Sequence, residues 1–206
     1  TSPDLQACVG MMKGGSRTFF AASRLLPPRV RAAAIALYAF CRVADDLVDE
    51  AAPGDTAPLL VLAERLDRIY AGTPQDHVED HALALVVQQY ALPRHLLDAL
   101  IEGFAWDAQG RHHDTLEDVQ AYGARVAGSV GAMMCWIMGP RDADTLARAC
   151  ELGVAMQLTN IARDVGADAA LGRLYLPRQW LQQEGLDPDA WLAAPQFEPA
   201  LGRVVE

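Results

Sequence analysis

Tyr38-Ala-Phe-Cys-Arg-Val-Ala-Asp-Asp-Leu-Val-Asp49 is the stretch whose reading decides the fold. At about 100° per residue, Tyr38, Arg42, Asp45, Asp46 and Asp49 fall within about 100° of arc on one helical face. Pro53-Gly54 stops the helix, which places the three acids in its last turns. That end already carries partial negative charge, so three mutually repelling carboxylates cost stability unless a cation compensates. The bland reading of such a cluster is a solvated acidic helix end.

Working outward, nearly every segment reads as helix. Ser2-Pro3 is an N-cap followed by Pro in the first helical position, and Gly14-Gly15 ends that helix. Ser16 opens a short helix through Arg17, Phe19 and Phe20, closed before Pro27-Pro28. The acidic-faced helix follows, from Pro28 to Glu50. Thr56-Ala-Pro58 starts a helix that ends at Gly72, and a polar segment, Thr73 to Asp80, leads into one ending near Tyr90. Pro93 to Gly110 bounds the next. Thr115, with Glu117 and Asp118 behind it, caps a helix running to Gly139-Pro140. Asp142 caps one running to Asp164 or beyond. Short pieces follow at Pro177–Glu184 and Pro188–Leu192, and another helix begins at Pro199. No window alternates with period two, so an all-α bundle is expected, as one domain over residues 1–206.

Composition supports this. Of 206 residues 51% are hydrophobic and 21% charged, enough to build a core and too apolar for disorder. A net charge of −10 argues against a nucleic-acid partner. Cys41, Cys135 and Cys150, in apolar helical sequence, read as buried thiols of a reducing cytosol, whereas Cys8 does not share that setting. The uncharged run Val126–Pro140 is shorter than the ~20 residues that span a bilayer. Its Gly128, Ser129 and Gly131 suit close helix packing or a channel wall. A start at Thr1-Ser2-Pro3 without Met reads as processing or trimming.

A second oxygen-rich ladder lies in Gln157-Leu-Thr-Asn-Ile-Ala-Arg-Asp-Val-Gly-Ala-Asp168. Gln157, Asn160, Asp164 and Asp168 lie within about 80° of one another on a helix. Taken alone, such a stripe is ordinary surface. Taken as a pair, two acidic helix ends with Arg42 and Arg163 beside them suit hard divalent cations bridging to phosphate. No glutamate has a histidine three residues on, which removes the di-iron bundle pattern. His77/His81 and His112-His113-Asp114 fall in polar connecting sequence and read as solvated, not as zinc ligands. No Walker-type phosphate loop is present.

These stretches carry a resemblance. Gly15-Ser-Arg-Thr-Phe-Phe20, Ala36–Asp49, Tyr122 with Arg125–Gly131, and Gln157–Asp168 with Gly172-Arg-Leu-Tyr-Leu-Pro177 occur in the order and spacing of the squalene/phytoene synthase family. The wording most resembles its bacterial phytoene-forming members. The resemblance implies an isoprenoid-synthase helical bundle around a central prenyl tunnel, here lacking the C-terminal helices with which family members continue. It also implies Mg²⁺, with Mn²⁺ as a substitute, held by Asp45 and Asp49 with Asp46 as helper, and by Asn160, Asp164 and Asp168.

By the same resemblance Arg17, Arg42 and Arg163, with Ser16 and Gln157, would bind substrate diphosphate. Phe19, Tyr38, Tyr122 and Tyr175 would face the carbocation, because aromatic faces stabilise cations without attacking them. Gly128, Ser129 and Gly131 would let a helix line the prenyl channel. The implied reaction joins two geranylgeranyl diphosphates through a cyclopropyl diphosphate to phytoene, in the cytoplasm with peripheral membrane contact. Two alternatives stay open. One is a C15-specific relative making presqualene diphosphate, dehydrosqualene or squalene. The other is a non-catalytic assembly or lipid-binding scaffold.

Overall fold

A computed structural model describes residues 2–52 and 54–205. The Pro53 stop, the Thr1 opening and the Glu206 end lie outside them. Among the described residues the elements are all helical. They are α1 (Pro3–Gly15), α2 (Arg17–Ser23), α3 (Pro28–Asp49), α4 (Ala57–Tyr70), α5 (Val78–Tyr90) and α6 (Arg94–Ala108). Then come α7 (Leu116–Gly123), α8 (Ser129–Met138), α9 (Ala143–Ala170), α10 (Arg178–Gln183), α11 (Pro188–Ala193) and α12 (Pro199–Val205). The caps expected at the helix starts are made. Ser2 accepts from the Leu5 N–H, Ser16 from Phe19, and Asp142 from Thr145, while Thr115 and Asp118 form a reciprocal capping box.

Two cores form. The larger packs α1, α3, α4, α5, α6 and α8 around Phe40, Leu62, Leu66, Leu83, Leu97 and Met133. The smaller gathers Trp106, Tyr122, Ile161, Leu181, Trp191 and Leu201 from α6, α7, α9 and the C-terminal helices. Helix α6 serves both, with Leu97 to Phe104 in the first and Trp106 in the second. Its C-terminal turn therefore lies at the seam between them.

Three sequence expectations need correction, and one is borne out. The run from Thr115 to Gly139 is interrupted by a π turn at Ala124–Gly128. There the Arg125 guanidinium donates to the Ala121 carbonyl at 2.9 Å and the Ser129 hydroxyl to the Arg125 carbonyl at 2.5 Å. Side chains thus engage carbonyls across the insertion. Gly128 and Gly131 make the close helix packing expected of them. A Cβ at Gly128 would meet Cys150 Sγ and one at Gly131 the Ala149 carbonyl, so these glycines let α8 close onto α9. Cys8 is fully buried, because α1 packs its Cys8–Met12 side into the larger core. Glu79 and Asp80 are not loop residues. They begin α5 and are buried against Arg65, whose guanidinium binds Asp80 at 2.6 Å and Glu79 at 2.6 Å over the Phe40 ring. Three charges can be buried there only because each carboxylate meets a guanidinium N–H.

Candidate active site

The acidic end of α3 forms the first part of the site. Arg42 grips Asp46 along its own helix through one hydrogen bond of 3.0 Å and an ion-pair contact of 2.6 Å. Asp49 instead accepts from Arg173 at 2.7 Å. Burial, followed by the charge of Asp49, pushes the Asp45 carboxyl up to about 6. Tyr38, one turn before Arg42, meets the Phe19 ring edge-on with centroids 6.0 Å apart. Its phenol ionises less readily than usual, chiefly because of burial. Phe19 is itself half exposed.

Gly15 explains why Tyr38 can sit there. A Cβ at Gly15 would fall on the Tyr38 hydroxyl. Gly15→Ala should therefore displace the ring while changing fold stability by no more than about 1 kcal/mol, since alanine suits a helix better than glycine. Misplacement alone should lower kcat/KM of a reaction run at this site about tenfold to a hundredfold. Unchanged kcat/KM would show that Tyr38 has no role in the reaction.

The second part is the end of α9. Gln157 and Asn160 are half buried along it. Arg163 holds the adjacent Asp164 by two hydrogen bonds, 2.7 and 2.5 Å, which keeps that carboxyl below the usual range. Asp168 is raised, first by burial and then by the charge of Asp164. The chain reverses at Gly172, whose φ of +73° is a left-handed conformation that favours glycine. This turn returns the Arg173 N–H to the Asp168 carbonyl at 2.9 Å and sends the Arg173 side chain to Asp49. One guanidinium thus ties the end of α9 to the end of α3.

The third part was not among the residues read from sequence. Asp107, in the last turn of α6, accepts from the Tyr122 hydroxyl at 2.8 Å and from the Tyr175 hydroxyl at 2.7 Å. The two rings stack at 5.1 Å and 20°. Burial raises the Asp107 carboxyl, and the two tyrosine hydrogen bonds offset part of that rise. Both phenols are held strongly against ionisation, first by burial and next by the Asp107 charge. A usable signal existed. Leu97, Leu100, Phe104 and Asp107 share one face of α6 within about 80°, so this carboxylate continues a core stripe.

His113 corrects another expectation. It is 2% exposed, not solvated, and its ring lies 5.1 Å from that of Tyr122 and 5.9 Å from that of Tyr175. Its loop is clamped from α10, where the Arg178 N–H donates to the His113 carbonyl and Gln179 to that of Asp114. Burial lowers the imidazole pKa, so it backs the tyrosines as a neutral ring. His77 is exposed, and His81 lies 3.7 Å from Asp4 at the surface. Among the described residues, no hydrogen bond or ion pair joins Arg17 or Gln157 to these acidic groups.

The donor set of Asp45, Asp49, Asn160, Asp164 and Asp168 is all oxygen and suits a hard divalent cation. Among the described residues no three His, Cys, Asp or Glu side chains stand close enough to cage a metal by themselves. A cation held by a few of these oxygens would complete its shell with water or other oxygen ligands, as Mg²⁺ commonly does. The raised Asp45 carboxyl is a site where a bound cation would restore the charged form.

A family model described as squalene/phytoene synthase matches residues 12–206. The chain belongs to the squalene/phytoene synthase family. Among curated members it is 58% identical over 205 residues to the phytoene synthase of Rhodobacter capsulatus. It is 56% identical over 212 residues to that of Cereibacter sphaeroides. Each match covers 98% of this chain and 60% of the relative, so the chain spans about 60% of the length of these family members. The fold is that of solved members. A dehydrosqualene synthase superposes with a TM-score of 0.87 at 33% identity, over 98% of this chain and 70% of that one. A squalene synthase from Alicyclobacillus acidocaldarius gives 0.86 at 31% identity, over 98% and 76%.

Proposed function

We propose that the protein is a Mg²⁺-dependent head-to-head prenyltransferase that condenses two geranylgeranyl diphosphates to phytoene, with Mn²⁺ able to replace Mg²⁺. The observation that carries this is the Asp49–Arg173 contact, which brings the acid-rich ends of α3 and α9 within one guanidinium's reach. The choice of C20 over C15 substrate is supported by 56–58% identity to phytoene synthases, against 31–33% to the dehydrosqualene and squalene synthases of known structure.

In this reading Asp45, Asp49, Asn160, Asp164 and Asp168 hold the cations. When bound, the metal supplies positive charge that stabilises the departing diphosphate. Arg17, Arg42 and Arg163, with Ser16 and Gln157, orient the diphosphate oxygens. Loss of diphosphate leaves an allylic cation; attack by the second prenyl chain moves the charge to a tertiary carbon, and loss of a proton closes the ring to a cyclopropyl diphosphate. A second ionisation, rearrangement and proton loss then give phytoene. Tyr38, Tyr122, Tyr175 and Phe19 present ring faces to the cationic stages. Tyr122 and Tyr175 are suited to this because Asp107 engages their hydroxyls and places negative charge behind the rings.

Four free cysteines fit a reducing cytosol, and the apolar product argues for peripheral contact with a membrane. The test is product analysis of the full-length protein given C15 and C20 diphosphates separately with Mg²⁺. We expect a C40 hydrocarbon from the C20 substrate. A C30 product alone would overturn the chain-length assignment, and no product from either would favour a scaffold.

A further inference from the structure

The three arginines beside the two acidic helix ends are not equivalent. Arg42 and Arg163 each meet a carboxylate on their own helix through two guanidinium nitrogens, Arg163 with two hydrogen bonds and Arg42 with one hydrogen bond and a second ion-pair contact. Arg173 reaches a carboxylate 124 residues away with a single one, from Nη2 to Asp49 Oδ1. Its backbone is fixed by the Gly172 turn and the bond to the Asp168 carbonyl, so the anchor of the side chain does not depend on Asp49. A guanidinium carries five N–H donors in a planar fork, and one bond to a carboxylate uses little of that capacity. The side chain is also about one-third exposed, which leaves it room to change partner.

We propose that Arg173 is an exchangeable counter-ion of the diphosphate site, neutralising Asp49 until a divalent cation takes that carboxylate and then passing to a diphosphate oxygen. This rests on the cation–diphosphate reading above. A guanidinium and a divalent cation on one carboxylate repel each other, so cation binding at Asp49 must weaken the Arg173 contact. The freed fork matches phosphate oxygens better than it matches one carboxylate oxygen. The exchange keeps the acidic pair compensated before loading. Afterwards it adds a positive group on the α9 side of the leaving diphosphate.

The two halves of the exchange pull binding in opposite directions, and that makes the test. Calorimetry would measure Mg²⁺ alone, then inorganic diphosphate at saturating Mg²⁺, on the full-length wild type, Arg173→Gln and Arg173→Lys. Arg173→Gln should bind Mg²⁺ alone about threefold to tenfold more tightly, because Asp49 no longer has to shed a cation. It should bind diphosphate about tenfold to a hundredfold more weakly. Arg173→Lys, which keeps the charge without the fork, should recover part of the diphosphate affinity and serves as the folded control if the glutamine variant melts early. If both affinities fall together, or if neither changes, Arg173 is a static strut and the exchange is wrong. If the wild type shows no Mg²⁺-dependent diphosphate binding, the functional reading itself fails.

Discussion

Asp45→Asn should yield a protein that is more stable at pH 7.5 and almost inactive. In the folded chain the Asp45 carboxyl is raised from 3.8 to about 6 by burial and by Asp49. A carboxyl raised on folding stabilises the fold below its unfolded pKa, and that contribution is lost as pH rises through the folded value. Above pH 6 the wild type therefore carries the cost of a charged, half-buried Asp45. A shift of this size has a ceiling near 3 kcal/mol, which partial exposure reduces to roughly 1–2 kcal/mol. In thermal melts with EDTA the variant should melt about 2–6 °C higher at pH 7.5. The gap should close as the pH falls from 6 towards 4. Turnover should fall by at least about a hundredfold, since loss of a charge-stabilising group in the transition state costs that much. Equal melting temperatures at pH 7.5 would mean that Asp45 is not under the strain described.

Asp107 carries the second large effect, because a buried phenol, Tyr122, and a partly buried one, Tyr175, donate to its carboxylate. Asp107→Leu leaves both hydroxyls without that acceptor, at about 1–3 kcal/mol each, and should cost roughly 2–5 kcal/mol in denaturant unfolding. Asp107→Asn keeps an acceptor but presents an amide to the other tyrosine, so the fold should hold while kcat drops about tenfold to a hundredfold. Tyr122→Phe should cost a similar factor. Because Asp107 and Tyr122 are in direct contact, the double variant should lose far less than the product of the two single losses. Multiplicative losses would show that the carboxylate does not act through the tyrosines.

How far the sequence reached follows from the range of each interaction. The face of α3 was legible because Tyr38 to Asp49 obeys one helical period, and the caps at Ser2, Ser16, Thr115 and Asp142 are read within four residues. The pairing of Asp49 with Arg173 was not legible. Arg173 sat inside a recognised stretch, but nothing local says that the Gly172 turn aims it across the bundle. Asp107 drew no reading from the sequence, although its register with Leu97, Leu100 and Phe104 placed it on the buried face. His113 read as solvated because the loop around it is polar. Its ring packs against those of Trp106, Tyr122 and Tyr175, while α10, remote in sequence, holds its backbone. The π turn leaves the apolar pattern of its helix almost unchanged. Only the close approach of Gly128 and Gly131 to Cys150 and Ala149 on α9 shows its packing context.

The central claim is that the ends of α3 and α9 form one cation–diphosphate site. The most direct measurement is the Mg²⁺ dependence of inorganic diphosphate binding in the wild type, Asp45→Asn and Asp164→Asn, each checked for native folding. If the two ends act together, Mg²⁺ strengthens diphosphate binding in the wild type, and either substitution removes most of that gain. A variant that keeps the full Mg²⁺ gain would contradict the claim, because its helix end would then stand outside the site.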